Sequence, residues 1–274
     1  LGVDTIRAAS TFDHPILFGS FCAAVAAIHL YSDMTAGTRF FQLALCLVGC
    51  VASLSSASLL AFFMIVALFS YDALLRTYRW RWKLLWCVLL TGICALFIAS
   101  ENPASWLFRN VTLDPQTSYF RLLIWDAAIN QISDHPWFGI GFNSTGNPLL
   151  DDSTDSLWLA KAVTYGLSTI ALLFLAGLAA VIPIRGQADI RRRDPVLDRM
   201  CTSFSLVLAA ITFISITCYF WNAVWLFSIL CVGIRVTLKE QCLLARKSPR
   251  PNDLAYNNRA LSLRRAAPWA TVSS

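Results

Sequence analysis

Apolar residues follow one another along this chain in long, nearly uncharged blocks, without the strict alternation of a half-buried strand. Phe40–Ser70, Leu84–Ser100, Leu157–Pro183 and Cys201–Val236 carry almost no charge. Blocks on this scale meet the roughly 20 apolar residues that a helix needs to cross a bilayer. They predict spans at Pro15–Tyr31, Thr38–Ser53, Ser56–Tyr71, Trp82–Ser100, Leu157–Ile184, Met200–Phe220 and Asn222–Thr237. Within Val51–Ser58 (VASLSSAS), small hydroxyl side chains can satisfy backbone groups where a helix breaks. That stretch is read as a break between two short spans. Between the last two spans, Tyr219, Trp221 and Trp225 resemble the aromatic belt of a membrane interface.

The polar positions divide the chain into residues 1–100 with four spans, 101–156 as a long connection, 157–237 with three spans, and 238–274 as a basic tail. A connection of about 55 residues is far longer than usual, and such loops are commonly functional. Inside it, Thr117–Asp134 reads as an amphipathic helix with Thr117 or Ser118 as cap. Phe120, Ile124, Ala127 or Ala128, and Gln131 form its apolar stripe at spacings of three and four. Arg121 and Trp125 share one face, His135-Pro136 ends the helix, and Gly139 and Gly141 permit the following turn. The predicted fold is all-α: a polytopic transmembrane helix bundle of about seven spans, with one long external loop that contains an amphipathic helix.

Composition sharpens this picture. The chain is 57% apolar and 14% charged, against about 25% charged in soluble domains, so it lacks the polar surface of a soluble enzyme. A net charge of +6 raises the question of nucleic acid, but the positive residues are not spread over a surface. Arg76–Lys83, Arg185–Arg199 and the stretch from Arg235 onward hold four, five and eight Lys/Arg, which with Arg39 makes 18 of 22. They fall at alternate span ends, as cytoplasmic loops do, and no nucleic-acid partner is expected. The bilayer is the partner instead. The segment Glu101–Asp155 then faces outward, and it has seven acids but only Arg109 and Arg121 as bases. The tail from Lys239 is expected to be a mobile cytoplasmic extension near anionic headgroups. Leu1 stands where an initiator methionine would, so the chain is expected to be the carboxy-terminal part of a longer membrane protein. Nine cysteines without CxxC or Cys/His spacing point to packing, not to disulfides or metal.

Chemistry concentrates in the external segment. Asp155 stands at the entrance of the fifth span, where two readings remain open: an N-cap carboxylate offsetting the helix dipole, or a catalytic group. Arg121 is either a surface arginine beside Trp125 or an anion-binding group. His135 reads first as a helix-ending residue. The glycines of GIGFNSTG do not fit GxGxxG, and Asp151, Asp152 and Asp155 lack the EF-hand pattern.

Several motifs in order carry a resemblance. They are Arg7-Ala-Ala-Ser-Thr-Phe-Asp-His14-Pro15 before a span, the serine-rich break Ser53–Ser58, Arg121-x-x-x-Trp125, His135-Pro-Trp-Phe-Gly-Ile-Gly141, and Thr154-Asp155-Ser156-x-Trp158-Leu159 followed by Tyr165-Gly166. Across about residues 5–185 they resemble the O-antigen ligase and polymerase superfamily of bacterial inner-membrane proteins, whose first motif reads R-x-x-G-T-F-x-x-P. Two departures stand out. Asp155-Ser156 occupies the place of the histidine that ligases carry, and the arginine of the family's S-x-S-R element is missing after Ser56. The likeness is therefore closer to the polysaccharide polymerases.

The resemblance implies transfer of polyprenyl-diphosphate-linked glycan repeats to an acceptor glycan at the periplasmic face, with the tail cytoplasmic. It implies no cofactor and no metal, and chain-length regulator and flippase proteins as further partners. Arg121 and Asp155 are the implied catalytic residues; Arg7, His14, Trp125, His135 and Trp158 are the implied substrate-binding ones. Guanidinium pairs bidentately with phosphate oxygens, so Arg121 with Arg7 suits a diphosphate leaving group, and Asp155 suits the acceptor hydroxyl. Three other readings stay open: a ligase that transfers glycan to lipid A core, a non-enzymatic polyprenyl-glycan transporter, and a structural membrane subunit. Transporters place charges inside their spans, which here are almost uncharged.

Overall fold

The computed structural model describes residues 7–78, 80–99, 115–152, 154–182 and 194–247. Among them all regular structure is helical: α1 (Pro15–Tyr31), α2 (Ala36–Ala52), α3 (Ser56–Leu74), α4 (Arg81–Ala99), α5 (Pro115–Asp134), α6 (Pro148–Asp152), α7 (Leu157–Val181), α8 (Pro195–Ile214) and α9 (Asn222–Lys247). Each of the seven predicted spans overlaps a helix. By length and composition α3, α7, α8 and α9 can cross a membrane. The 17 residues of α1 and of α2 extend only about 25 Å, short of a hydrocarbon core of about 30 Å.

Local chemistry explains most helix limits. His14 caps α1, with Pro15 in the first turn where its missing N–H is harmless. Thr35 and Ser55 cap α2 and α3. The serine-rich stretch does break the helix: Ser53 closes α2, Leu54 adopts a φ of 47°, and α3 restarts at Ser56.

Three expectations need correction. The span at Met200–Phe220 is shifted toward the amino end, because Asp194 accepts from the backbone N–H groups of Val196 and Leu197 and starts α8 at Pro195. At its far end Ser215 closes α8 and lends its carbonyl to Leu157 N–H, which begins α7. The last helix runs on past Thr237 to Lys247, so the first part of the expected mobile tail is helical. Lys239 donates there to the Ala179 carbonyl, and Cys242 is buried against Cys201. Residues 248–274 lie outside the described residues. Finally α5 starts at Pro115, which puts Thr117 and Ser118 inside the helix and rules them out as its cap.

The core surrounds α1, which packs on α2, α3 and α8. Ala23, Ala24, Ala26 and Ala27 are fully buried, and such small residues let helix backbones approach without a water-driven core. Gly19 allows one such approach: a Cβ there would meet the hydroxyls of Ser53 and Ser58 at the serine-rich break. Outward faces are apolar, with Phe40 and Phe41 on α2, Phe174 and Leu175 on α7, and Leu226 and Leu230 on α9 all exposed. That surface suits lipid contact.

Contacts at the helix ends fix their directions. His14 and Trp221 meet at one end, where Ala8 N–H also reaches the Ala52 carbonyl. At the other end Tyr31, Asp72 and the start of α4 meet. The carboxyl end of α2, the amino ends of α1, α3, α7 and α9, and the close of α8 therefore share one end of the bundle.

Candidate active site

The two residues singled out as catalytic come together there from elements 34 positions apart in sequence. Arg121, in the second turn of α5, places Nε 3.8 Å from Oδ2 of Asp155, just before α7. This is an ion pair longer than a hydrogen bond. Arg121 is 11% and Asp155 41% exposed, and the Arg121 Nε is buried with no hydrogen-bond partner. The arginine side chain is thus largely buried, and the carboxylate is the more exposed partner.

Local folding explains both placements. Ser156, not Asp155, caps α7: its hydroxyl accepts from Leu159 N–H and reaches the Ser215 carbonyl. The N-cap position, one of the two readings of Asp155, is thus held by its neighbour. On α5 the buried face carries Ile124 and Ala128, with Trp125 and Ile132 half-buried beside them against Leu150, Leu159 and Val163. Phe120, expected on that face, is exposed instead. The stripe is rotated by about one residue, and that rotation brings Arg121 inward.

α7 and the preceding loop interlock. Helix geometry fails at Gly166, with φ 82° and ψ 174°. The carbonyls freed at Val163 and Thr164 accept from Ile140 and Gly141 N–H at 2.9 Å each, and Leu167 N–H donates to Pro136 at 2.8 Å. A Cβ on Gly139 or Gly166 would be driven into the opposing backbone, so both glycines are required by close approach as well as by positive φ. The two short motifs His135–Gly141 and Tyr165-Gly166 are one structural unit.

The remaining predicted residues surround the pair unevenly. Arg7 donates through Nε to Ser53 O at 3.1 Å and through Nη2 to Leu54 O at 3.2 Å. Part of its donor set therefore caps the serine-rich break. His14 accepts from Ile16 N–H through Nδ1 at 3.3 Å and stacks edge-on against Trp221, 5.9 Å between ring centres. Burial, with the Arg7 charge behind it, lowers the His14 pKa, and the charge of Asp155 opposes this. His14 thus shares a field with both Arg7 and Asp155. Trp158 is half-buried in the first turn of α7. His135 is exposed at the far end of α5, about 20 Å along the axis from Arg121 at 1.5 Å per residue, so the fold does not bring it to the pair. Asp151 is not part of a carboxylate cluster with Asp155: it accepts from Ser144 Oγ, Thr145 N and Thr145 Oγ1, and these bonds hold its pKa low.

Two further residues belong to this end. Lys161 Nζ lies over the rings of Tyr165, Tyr219 and Trp225 at 5.4, 5.9 and 6.0 Å, within cation–π range. Its place as a lone charge in an apolar run, four residues before Tyr165, was the available signal. Cys218 is buried beneath the pair, and burial pushes its thiol up to about 12, with Arg121 lowering and Asp155 raising it. A thiol so far from ionisation is no nucleophile. Arginine, lysine, aromatic faces and a carboxylate thus gather at this end of the bundle.

Residues 41–174 match the family described as O-antigen ligase. The match takes in most of α2, α3 through α6, and most of α7, and therefore both members of the Arg121–Asp155 pair. No curated protein matches the chain.

Proposed function

We propose, starting from the match of residues 41–174 to the O-antigen ligase family, that this multi-pass membrane protein is a polysaccharide polymerase. In this reading it transfers polyprenyl-diphosphate-linked glycan repeat units to an acceptor glycan at the periplasmic face of the bacterial inner membrane. The observation that carries it is the Arg121–Asp155 pair at 3.8 Å, beside a helix start that Ser156 caps. The acceptor hydroxyl oxygen attacks the anomeric carbon of the donor sugar, its proton passes to the Asp155 carboxylate, and the carbon–oxygen bond to the diphosphate breaks. Polyprenyl diphosphate leaves with the bonding electrons. Arg121 stabilises the charge developing on it, a task for which a preorganised guanidinium is suited. Arg7 adds positive potential from the serine-rich break, and the rings at Trp125, Trp158 and Trp221 offer faces for sugars.

Arg121→Lys tests the reading, because lysine keeps the charge but not the fork. Polymer in a strain carrying this variant should fall by about a hundredfold or more, with the protein still in the membrane; undiminished polymer would refute the assignment. The lipid-linked glycan profile of a deletion strain separates polymerase from ligase. Single repeat units accumulate if the protein polymerises, whereas undecorated lipid A core with polymer still on its carrier identifies a ligase.

A further inference from the structure

At the end of the bundle opposite the Arg121–Asp155 pair, the close of α1, the first turn of α2, the close of α3 and the start of α8 enclose a cavity of about 110 Å³. Tyr31, Arg39, Asp72, Arg76, Asp198 and Arg199 supply most of its polar lining. A cavity needs only about 10–15 Å³ to admit a water, so this one has room for a group the size of phosphate. Three arginines around so small a space repel one another unless an anion joins them.

The carboxylates present offset that charge only in part: with Arg81, four guanidinium groups face Asp33, Asp72 and Asp198. Asp72 is held by Arg81 at 2.6 Å and by the Tyr31 hydroxyl at 3.3 Å. Asp198 is buried and already engaged. Asp33 reaches Arg199 only at 3.4 Å and is 75% exposed, an arrangement that water and salt weaken. Arg39 donates through Nη2 to the carbonyls of Ser32 and Met34, which fixes its orientation, while its Nε is buried with no hydrogen-bond partner. The oriented guanidinium of Arg39, with those of Arg76 and Arg199 lining the same cavity, makes a donor set that suits a tetrahedral oxyanion. Directly flanking it, Phe40 is 76%, Phe41 63% and Leu74 80% exposed, so any acyl chain attached to that anion has apolar surface to lie on.

We propose that this cavity is a phosphate-binding site, and that the phosphate it takes is the headgroup of an anionic phospholipid. The site is independent of the chemistry at the opposite end. The test uses the full chain in nanodiscs of phosphatidylglycerol or of phosphatidylcholine, and in detergent with inorganic phosphate, read by thermal unfolding and by native mass spectrometry of retained lipid. Wild-type protein should be stabilised by phosphatidylglycerol and retain it. Arg199→Gln and Arg76→Gln should each weaken retention by about tenfold or more while melting like wild type in phosphatidylcholine. Arg76 is exposed, so its variant keeps the test valid if Arg199→Gln folds poorly. An arginine-dependent response to inorganic phosphate alone would keep the anion site but overturn the lipid as its source. Equal responses in wild type and both variants, or none in wild type, would overturn the proposal.

Discussion

Two arginine–aspartate pairs sit at opposite ends of this bundle and differ in almost every physical respect. Arg81 and Asp72 stand 2.6 Å apart, 2% and 10% exposed. The guanidinium also donates to the Arg76 carbonyl, Tyr31 supports the carboxylate, and Tyr71 holds the Arg81 carbonyl. Arg121 and Asp155 are 3.8 Å apart, and the carboxylate is 41% exposed. The first pair joins α3 to the start of α4 and is closed to solvent. The second joins a loop helix to a span and leaves one partner accessible. The backbone shows the same contrast: among the described residues, the non-glycine positions with positive φ, Ser10, Leu54 and Asn222, stand at the open end, through the Leu54 bond to Arg7 and the Asn222 bond to Asp13. Strain of this kind collects where function constrains the chain. Chemical identity alone therefore does not assign a role to an ion pair; burial, distance and backbone setting do.

The sharpest way to break this contrast is to remove one member of each pair. Arg81→Met leaves the Asp72 carboxylate buried and unpaired, and should cost about 3–5 kcal/mol, seen as a large loss of thermal stability and of folded yield in detergent. Asp155→Asn should change stability by less than about 1 kcal/mol and abolish polymer formation. Equal stability losses in the two variants would erase the distinction between a structural and an available pair.

A smaller effect separates the two ends through glycine. Gly166→Ala meets both a positive φ and the Trp137 carbonyl, and should destabilise by about 1–3 kcal/mol. Gly177→Ala, on the same helix with open space around it, should be neutral or slightly stabilising. Because the interlock ties the end of α5 to α7, Gly166→Ala should also lower transfer when measured at equal amounts of folded protein; unchanged transfer would uncouple the interlock from the site.

The helices were legible in the sequence because uncharged blocks are long and bilayer thickness is fixed. Where polar residues enter the helix the blocks mislead: the start of α8 is set by the Asp194-Pro195 cap and not by hydropathy. Arg121 and Asp155 were legible as a candidate pair through the motif order. Whether Asp155 capped α7 was not, because Ser156 beside it is an equally good cap. The orientation of α5 was lost for a similar reason: with Phe120, Ile124, Trp125 and Ile132 on neighbouring faces, the apolar stripe admits two rotations, and packing on α7 selects one. The glycine interlock is backbone-to-backbone, so no side-chain pattern encodes it.

Acidification should act on the open end, through His14. Its pKa lies below the ordinary 6.5 in the folded protein, chiefly by burial and next by the Arg7 charge, and the unprotonated Nδ1 accepts from Ile16 N–H. The unfolded chain then binds the proton more readily. The His14 contribution to stability is complete above about pH 6.5, and it declines as the pH falls below that value toward the lower folded pKa. His14→Asn keeps a capping side chain but cannot titrate. The melting temperature of wild type should therefore drop more than that of the variant between about pH 7.5 and 5.5; parallel curves would assign the acid sensitivity elsewhere.

The smallest effect concerns Ser10, which occupies the glycine position of the R-x-x-G-T-F pattern and has a φ of 53°. A left-handed conformation costs an L-residue about 1–2 kcal/mol. Glycine removes that cost but adds freedom to the unfolded chain, so Ser10→Gly should stabilise by about 0.5–1 kcal/mol net. Ser10 is exposed, and the change removes no buried contact, so denaturant or thermal unfolding reports the backbone term alone. Transfer activity should stay as in wild type if the turn between Arg7 and His14 only has to exist. If activity falls while stability rises, the serine hydroxyl itself takes part at the open end, and the strain there is tolerated for a chemical reason and not for a geometric one.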